Sequence, residues 1–454
     1  MVDRSQELAQ APVGRLLGRY FVPAIVGVLA NTLYNLVDRV YIGRGVGALA
    51  LSGLSVTFPI MIIAMAFGML VGMGAAALVS IRLGQRNRDE AEKILGNAFV
   101  LLLIVSLGTS AVGLLLRDRI LTWFGAGPAT FGYAREYITI ILLGNVFQGI
   151  GFGLNNLIRA EGNAGTAMGT MLLGALLNLG LDPLFIFVFH LGVSGAALAT
   201  VISMTVTSVW VVAHFRGPRS MLRLRRRHFR LERPIVLGIL LIGMAPFAIQ
   251  LASSAVNALF NHQLIRYSGD LAVGAMGIIN GVSMMVIFCV IAINMAAQPI
   301  IGFNHGARFF SRVKRTLTIA LIAATAVTSA GFLAVQLFPA SIVGLFNRSD
   351  PRLLDIGVRG LRILLAAFPL VGFQVISSHY FQAIGRAKIS IFLSLLRQVL
   401  VLIPLLLILP TRLGTDGVWL AGPVADVAAT LITGAMILRE MRELRAAADP
   451  VVAG

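Results

Sequence analysis

The sequence is poor in charged residues, which make up only 12% of its 454 positions. A soluble domain usually contains about 25%. Hydrophobic residues make up 57% of the chain. Apolar windows of about 20 residues, each long enough to cross the hydrocarbon core of a bilayer, recur along the whole length. The composition therefore predicts a polytopic membrane protein and leaves no room for a soluble domain.

Residues and motifs that carry covalent or metal chemistry are also scarce. The single cysteine, Cys289, excludes a disulfide framework and a cysteine-based metal site. The sequence has no G-x-x-x-x-G-K-[ST] phosphate loop, no H-E-x-x-H motif and no G-x-S-x-G motif. We therefore predict a protein that is not an enzyme and has no cofactor, in which an ion gradient rather than ATP hydrolysis drives transport.

The net charge of +18 could indicate a nucleic-acid partner, but the basic residues are concentrated between apolar runs, at 81–93, 215–230 and 307–315. Arg and Lys accumulate in the cytoplasmic loops of membrane proteins. We therefore predict a multi-pass protein of the cytoplasmic (inner) membrane, with both termini in the cytoplasm and no nucleic-acid partner. The first apolar run is too long and too polar for a signal peptide, and we interpret it as a retained span.

Polar breaks divide the apolar sequence into about twelve candidate transmembrane helices, which predicts an all-α fold. The predicted spans are 18–42, 53–80, 94–116, 134–157, 165–189, 193–214, 234–260, 272–300, 316–338, 354–380, 388–410 and 415–438.

The second half of the sequence repeats the first at a shift of 222 residues, which for example places Asn35 on Asn257. We predict two homologous six-helix bundles, residues 1–214 and 234–454, joined by a basic cytoplasmic linker at 215–233. Because each bundle has an even number of spans, both have the same orientation in the membrane. Parallel repeats of this kind place a substrate cavity at their interface.

Three polar residues interrupt the first span. Asn31, Asn35 and Asp38 are spaced i, i+4 and i+7, which places them on one helix face. An ionised carboxylate within a bilayer is costly, so this face should point to a watery or protein-lined interior. The alternative is that Asp38 only forms an ion pair with Arg39 or Arg44 at the membrane surface.

A second polar pair, Asn178 and Asp182, lies one helical turn apart on the fifth span. If Asp182 faces Asp38, two carboxyl groups held close together away from water cannot both be charged without a large cost. Such a pair can take up and release a cation, which couples ion flow to a conformational change. The alternative is an ordinary helix-end Asp before Pro183.

The remaining candidates are more isolated. Pro23 in the first span removes a backbone hydrogen bond and permits a kink, unless it only marks the start of the helix. Arg397 on the eleventh span is costly in lipid and should contact a carboxylate, a carbonyl or an aqueous cavity. Gln250 and Asn257 are polar positions on the seventh span. Glycine pairs at spacing four, at positions 68 and 72, 149 and 153, and 165 and 169, predict close helix packing.

Four motifs resemble those of the multidrug and toxic compound extrusion (MATE) family, most closely its DinF-type branch, and the resemblance covers nearly the whole chain. They are GQR at 84–86, GAR at 306–308, RAEGNAGT at 159–166 and QAIGRA at 382–387. The family has twelve helices in two bundles, and it expels mostly cationic organic compounds in exchange for protons or sodium ions. By this resemblance we expect the same fold and activity here.

The resemblance also implies roles for individual residues. Asp38 matches the acidic residue of the family's first helix, and Pro23 matches the proline at which that helix bends. Asn31 and Asn35 would then line the cavity wall that leads to Asp38. The implied amino-terminal cation site comprises Asp38, Asn178, Asp182, Thr200 and either Asn155 or Asn156. Where the related NorM-type branch carries an acidic residue on the seventh helix this chain has Gln250, so the resemblance does not extend to a second cation site.

These observations predict a secondary antiporter that acts in the bilayer as a monomer and exports small organic cations in exchange for H⁺ or Na⁺. Asn155, Asn156, Gln250, Asn257 and Arg397 are its further cavity candidates. The alternative is a flippase for lipid-linked saccharides from the same superfamily. A flippase would need a strongly cationic cavity and usually extra spans, and Arg397 is the main residue that favours it. An intramembrane transferase would need catalytic groups and an acceptor loop at one membrane face, and the short loops argue against it.

Overall fold

The computed structural model describes residues 4–346 and 350–446, and within these ranges the chain is helical and contains no strand. The helices are α1 (Arg4–Gln10), α2 (Val13–Gly45), α3 (Ala48–Gly84), α4 (Arg88–Trp123), α5 (Pro128–Ala160), α6 (Ala164–Pro183), α7 (Gly192–Arg216), α8 (Arg233–Ser268), α9 (Asp270–Gly306), α10 (Phe310–Leu337), α11 (Pro339–Phe346), α12 (Pro351–Leu364), α13 (Phe368–Ala383), α14 (Ala387–Leu395), α15 (Ile403–Leu413) and α16 (Thr415–Ala446). A π-turn, Leu184–Val188, follows α6, and a second, Leu396–Leu402, joins α14 to α15.

The number of membrane spans agrees with the sequence. Eleven helical segments of the described chain are long and apolar enough to cross a membrane, and α12 with α13 makes a twelfth. The all-α fold class is therefore confirmed.

The tenth span differs from its prediction, because 354–380 is not one straight helix. Its axis bends by 50° between α12 and α13. Pro369 stands at the start of α13, and proline has no N–H to continue the helical hydrogen bonds of the preceding turn. The hydroxyl of Thr328 on α10 donates to the Pro369 carbonyl at 3.2 Å. This hydrogen bond gives the Pro369 carbonyl a donor at the bend between α12 and α13.

The described residues form two compact units. Unit 1 contains residues 4–10 and 22–247, and unit 2 contains residues 11–21, 248–346 and 350–446. The helices α2 and α8 therefore each contribute residues to both units. The predicted division into 1–214, 215–233 and 234–454 stays a prediction about the homologous bundles.

Turns with a left-handed backbone recur at the spacing of the sequence repeat. Four such residues in the first half have a counterpart in the second. The pairs are Gly47 with Gly269, Arg86 with Arg308, Gly162 with Gly385, and Gly192 with Gly414. An arginine at positive φ is uncommon, yet Arg86 (φ 58°) and Arg308 (φ 61°) share this strained conformation. The repeat is thus preserved in the backbone of the turns as well as in the helices.

The predicted close packing at glycine pairs holds for some pairs only. A Cβ on Gly72 of α3 would lie 2.6 Å from the Cα of Gly153 on α5, so these two helices touch backbone to backbone. A Cβ on Gly68 would make only an ordinary contact. The prediction is wrong for Gly165 and Gly169, which have open space where their side chains would be.

The linker after α7 is fastened to unit 1 by a buried carboxylate. Glu161, in the turn after α5, is fully buried. It accepts hydrogen bonds from the Ser220 hydroxyl at 2.6 Å and from the Met221 N–H at 3.0 Å. His214 Nε2 of α7 lies 2.5 Å from the other carboxylate oxygen. These bonds fix the chain where it leaves the membrane-spanning part of α7.

Two residues of α4 hold the rest of the linker. Glu92 accepts a hydrogen bond from the Arg223 N–H at 3.2 Å and pairs with Arg225 at 3.0 Å. The Asn97 side chain accepts from the Glu232 N–H at 2.8 Å and donates to the Arg230 carbonyl at 3.2 Å. The linker is therefore an ordered strap on unit 1 rather than a free loop.

His228 lies within this strap and is buried. Burial lowers its pKa, and the adjacent charge of Arg227 lowers it further. The ring is therefore neutral at pH 7, which allows its Nε2 to accept a hydrogen bond from Arg227 Nε at 2.9 Å.

Candidate functional site

The local structure around Asp182 results from the proline that follows it. Pro183 ends α6 because it cannot donate a backbone hydrogen bond, and the chain continues as the π-turn Leu184–Val188. π-turns of this kind occur frequently at functional sites. Asp182 lies immediately before this irregularity and is 0% exposed.

Asn178, Asp182 and Thr200 form a buried polar cluster between α6 and α7. The Asn178 amide donates to Asp182 Oδ1 at 3.3 Å and to Thr200 Oγ1 at 3.2 Å. Asn178 is 2% exposed and Thr200 is 7% exposed. The i, i+4 spacing in the sequence therefore does place Asn178 beside Asp182, and α7 contributes the third group.

Asp38 of α2 joins this cluster. Its carboxyl group lies close enough to the Asp182 carboxyl group for the two to interact electrostatically. The alternative assignment, an ion pair with Arg39 or Arg44, is absent from the described chain. Arg39 instead lies over the ring of Phe58, 5.2 Å from its centroid.

Three oxygen atoms of the cluster lack a hydrogen-bond donor. Asp38 Oδ1, Asp182 Oδ2 and Asn178 Oδ1 are buried, and no N–H or O–H group of the described residues donates to them. Buried acceptors are normally satisfied, so each exception needs an explanation. A set of oxygen atoms that includes two carboxylates and faces inward has the composition to accept a proton or a hard cation such as Na⁺.

Two tyrosines near the carboxyl groups were not anticipated from the sequence. Tyr137 of α5 is 3% exposed and lies near Thr200. Tyr34 lies one turn before Asp38 on α2. Both are close enough to Asp38 and Asp182 for their charges to interact. The only sequence signal was a tyrosine within an apolar span, which is too common to single out.

Asn155 and Asn156 lie in a different network, centred on Arg159 in the last turn of α5. Arg159 donates to Asn155 Oδ1 at 2.5 Å and to Asn156 Oδ1 at 2.6 Å. Asn155 in turn donates to Thr170 and to the Ala167 carbonyl on α6. Their assignment to the cation site or to the substrate cavity stays a prediction.

The other cavity candidates are more exposed. On α2, Asn35 donates to the Asn31 carbonyl at 2.7 Å, and both side chains are exposed. On α8, Asn257 is exposed and Gln250 is half-buried. Their roles, and that of Pro23 as a helix bend, stay predictions.

Arg397 lies in the π-turn between α14 and α15, and its Nε forms an ion pair with the buried Asp426 of α16. A carboxylate was one of the partners expected for this arginine. The neighbouring Gln398 donates to Ser253 of α8 at 3.1 Å. The charge of Arg397 is therefore neutralised within unit 2.

Within the described residues, no group of three or more His, Cys, Asp or Glu side chains is arranged to hold a metal ion. A cation at the Asp38 and Asp182 cluster would use amide and hydroxyl oxygens as well as the two carboxylates.

Comparison with known proteins assigns the family. The model of the MatE family matches twice, at residues 23–184 and 246–408. Multidrug export protein MepA of Staphylococcus haemolyticus is 24% identical to this chain over 90% of both proteins. A solved structure of the MATE multidrug transporter DinF-BH is 36% identical, with a TM-score of 0.87 over 95% of this chain and 96% of that one. An outward-facing MATE transporter of the MOP superfamily is 25% identical, with a TM-score of 0.91 over 98% of this chain and 99% of that one.

The DinF-type resemblance is thereby confirmed along nearly the whole chain, and the two matches of one family model coincide with the two halves of the sequence repeat. The chain belongs to the MatE family of membrane transporters.

Proposed function

We propose that this protein is a secondary antiporter of the cytoplasmic membrane that exports small, mostly cationic organic compounds in exchange for H⁺ or Na⁺. Relatives named multidrug export proteins, and a solved structure named as a multidrug transporter, support export of such compounds. Both termini would lie in the cytoplasm, and a single chain would carry out the exchange.

The observation that carries the proposal is the set of three buried oxygens without donors on Asp38, Asp182 and Asn178. Two carboxyl groups that lie close together repel when both are ionised, and burial strengthens that repulsion. Uptake of a proton or Na⁺ removes it. The cluster therefore favours cation uptake through the arrangement of its own side chains.

Exchange follows if the substrate and the coupling ion compete for the same negative charge. Ionised carboxyl groups attract an organic cation, and a bound proton or Na⁺ cancels that attraction. A ligand changes a conformational equilibrium only through its different affinity for the two states. We therefore assign the inward-open and outward-open states different affinities at Asp38 and Asp182, which alternating access requires.

The rival function, a flippase for lipid-linked saccharides, loses its main support. It depended on Arg397 as a positive charge for a pyrophosphate group. That guanidinium is already paired with Asp426, and the unpaired groups of the Asp38 and Asp182 cluster are acceptors rather than donors.

The test is efflux of a fluorescent organic cation from proteoliposomes under an imposed pH gradient and, separately, a sodium gradient. We expect wild-type efflux to follow one gradient, and Asp38→Asn and Asp182→Asn each to reduce gradient-driven efflux at least tenfold. The amide keeps the shape of the side chain but cannot be ionised.

Asp118→Asn is the matched control, because Asp118 is an exposed aspartate that pairs with Arg135 at 3.0 Å. It should transport like the wild type. The proposal would be contradicted, and the flippase favoured, if efflux depended on neither gradient. The same would follow if Asp38→Asn and Asp182→Asn were as active as this control.

A further inference from the structure

The basic strap after α7 forms an open cleft of about 510 Å³ on unit 1. Its lining consists of Phe215, Arg216, Arg223, Leu224 and Arg225. Three arginines and two apolar residues thus line one concave surface. This composition suits a ligand that combines an anionic group with an apolar part.

The cleft is held in place by buried groups. The Leu224 N–H donates to the Phe215 carbonyl at 3.1 Å, and Arg223 Nη1 donates to the Arg216 carbonyl at 2.9 Å. Below them, Glu161 and Glu92 fasten the strap to α5 and α4 through the bonds described above. An exposed loop whose only purpose is to carry positive charge needs no such anchors. The anchoring indicates that the geometry of the arginines matters.

The protein's own groups neutralise only part of the positive charge at this cleft. Arg225 is paired with Glu92 at 3.0 Å. The side chain of Arg216 is exposed and has no partner among the described residues. Arg223 uses one terminal nitrogen for the Arg216 carbonyl. The guanidinium groups of Arg216 and Arg223 therefore keep N–H donors that are free to bind an anion, and arginine geometry suits phosphate oxygens.

We propose that this cleft binds the phosphate group of an anionic phospholipid. The strap connects the end of α7 at Arg216 with the start of α8 at Arg233, two helices that leave the membrane at this point, which places the cleft at the level of the lipid headgroups. Clusters of arginines beside a membrane helix bind anionic headgroups for this reason. The half-buried Leu224 supplies an apolar surface that a soluble phosphate would not use.

The test measures lipid binding directly and does not depend on transport. Delipidated protein in detergent is titrated with phosphatidylglycerol or phosphatidylcholine, and native mass spectrometry counts the bound lipids. We expect a preference for phosphatidylglycerol, and a loss of affinity of about fivefold in Arg216→Gln, since one surface arginine contributes roughly this factor.

Arg226→Gln is the matched control. Arg226 is exposed in the same strap, has no side-chain partner among the described residues and does not line the cleft. It should lose clearly less affinity than Arg216→Gln, and the thermal stability of both variants should match the wild type. Equal losses in the two variants would overturn the proposal, because diffuse charge attraction would then explain the binding. Displacement of the lipid by an equal concentration of inorganic phosphate would also overturn it, in favour of a soluble anion.

Discussion

At the scale of single residues, the buried aspartates of the two units differ in whether they have a counter-charge. In unit 1, Asp182 is fully buried, and its Oδ2 atom has no donor among the described residues. In unit 2, the buried Asp426 has the guanidinium of Arg397 as a permanent counter-charge. An ionised carboxylate is costly inside a membrane unless another charge offsets it. A site that binds and releases a cation needs a carboxylate without a permanent counter-charge, as at Asp182. A fixed structural ion pair needs a permanent counter-charge, as at Asp426.

This difference predicts the effect of removing Arg397. Arg397→Leu should leave Asp426 as an uncompensated buried charge and destabilise the protein by about 3–5 kcal/mol. The double variant Arg397→Leu/Asp426→Leu should recover most of that loss, because it removes both charges. Thermal unfolding in detergent measures both effects.

The exposed pair Arg359 and Asp416 provides the control for this experiment. Arg359→Leu should cost no more than about 1 kcal/mol, as exposed ion pairs contribute little. If Arg397→Leu costs equally little, Asp426 is not an isolated charge in that variant and the structural role assigned to the pair is wrong.

At the scale of elements, two long helices change unit next to a proline. The boundary in α2 falls between Phe21 and Val22, beside Pro23, and the boundary in α8 falls between Phe247 and Ala248, beside Pro246. Proline removes one backbone hydrogen bond of the helix and allows a bend there. Pro23 was recognised in the sequence, whereas Pro246 emerges only from the division into units.

We predict that Pro246→Ala slows transport several-fold while it leaves substrate affinity almost unchanged. Alanine restores the missing N–H, stiffens α8 and should slow a conformational step that hinges at this point. The rate is measured by gradient-driven efflux, and the affinity by equilibrium binding of the same fluorescent cation.

Pro59→Ala is the comparison, because Pro59 lies inside α3 and away from either boundary. Equal slowing in both proline variants would mean that helix stiffness in general, and not a hinge at Pro246, limits the rate.

At the scale of the whole molecule, the connection between the two halves of the sequence is the ordered strap. Its order depends on the buried Glu161, which accepts from Ser220, Met221 and Leu222. We predict that wild-type protein resists trypsin between Arg216 and Arg230. Glu161→Ala should be cut there at least tenfold faster, since local opening is what exposes a buried segment to protease. Limited digestion followed by mass spectrometry of the fragments measures the rate and the site.

The control is Glu136→Ala, which removes an exposed carboxylate of α5 that binds Ser194. It should leave the strap as resistant as in the wild type. Rapid cutting of the wild-type strap would contradict the prediction.

Much of this organisation could be predicted because it is encoded locally. Long apolar runs specify membrane helices wherever they occur, so the spans were recognised without any knowledge of tertiary contacts. The spacing of Asn178 and Asp182 fixed their common helix face. The bend between α12 and α13 was missed, because a proline in an apolar run is equally compatible with a continuous kinked helix. The open space around Gly165 and Gly169 was missed as well, because spacing alone does not say which helix lies opposite.

The sequence by itself therefore determined the class of protein, its twelve spans, its internal repeat and the carboxylates that interrupt the apolar runs. These follow from hydrophobicity and helical periodicity, which act over a few residues. Only the tertiary structure brought Asp38 to Asp182, placed Tyr137 near both carboxyl groups, paired Arg397 with Asp426 and fastened the strap to Glu161. Each of these contacts joins segments that are far apart in the chain, and the packing of the helices alone decides which of them meet.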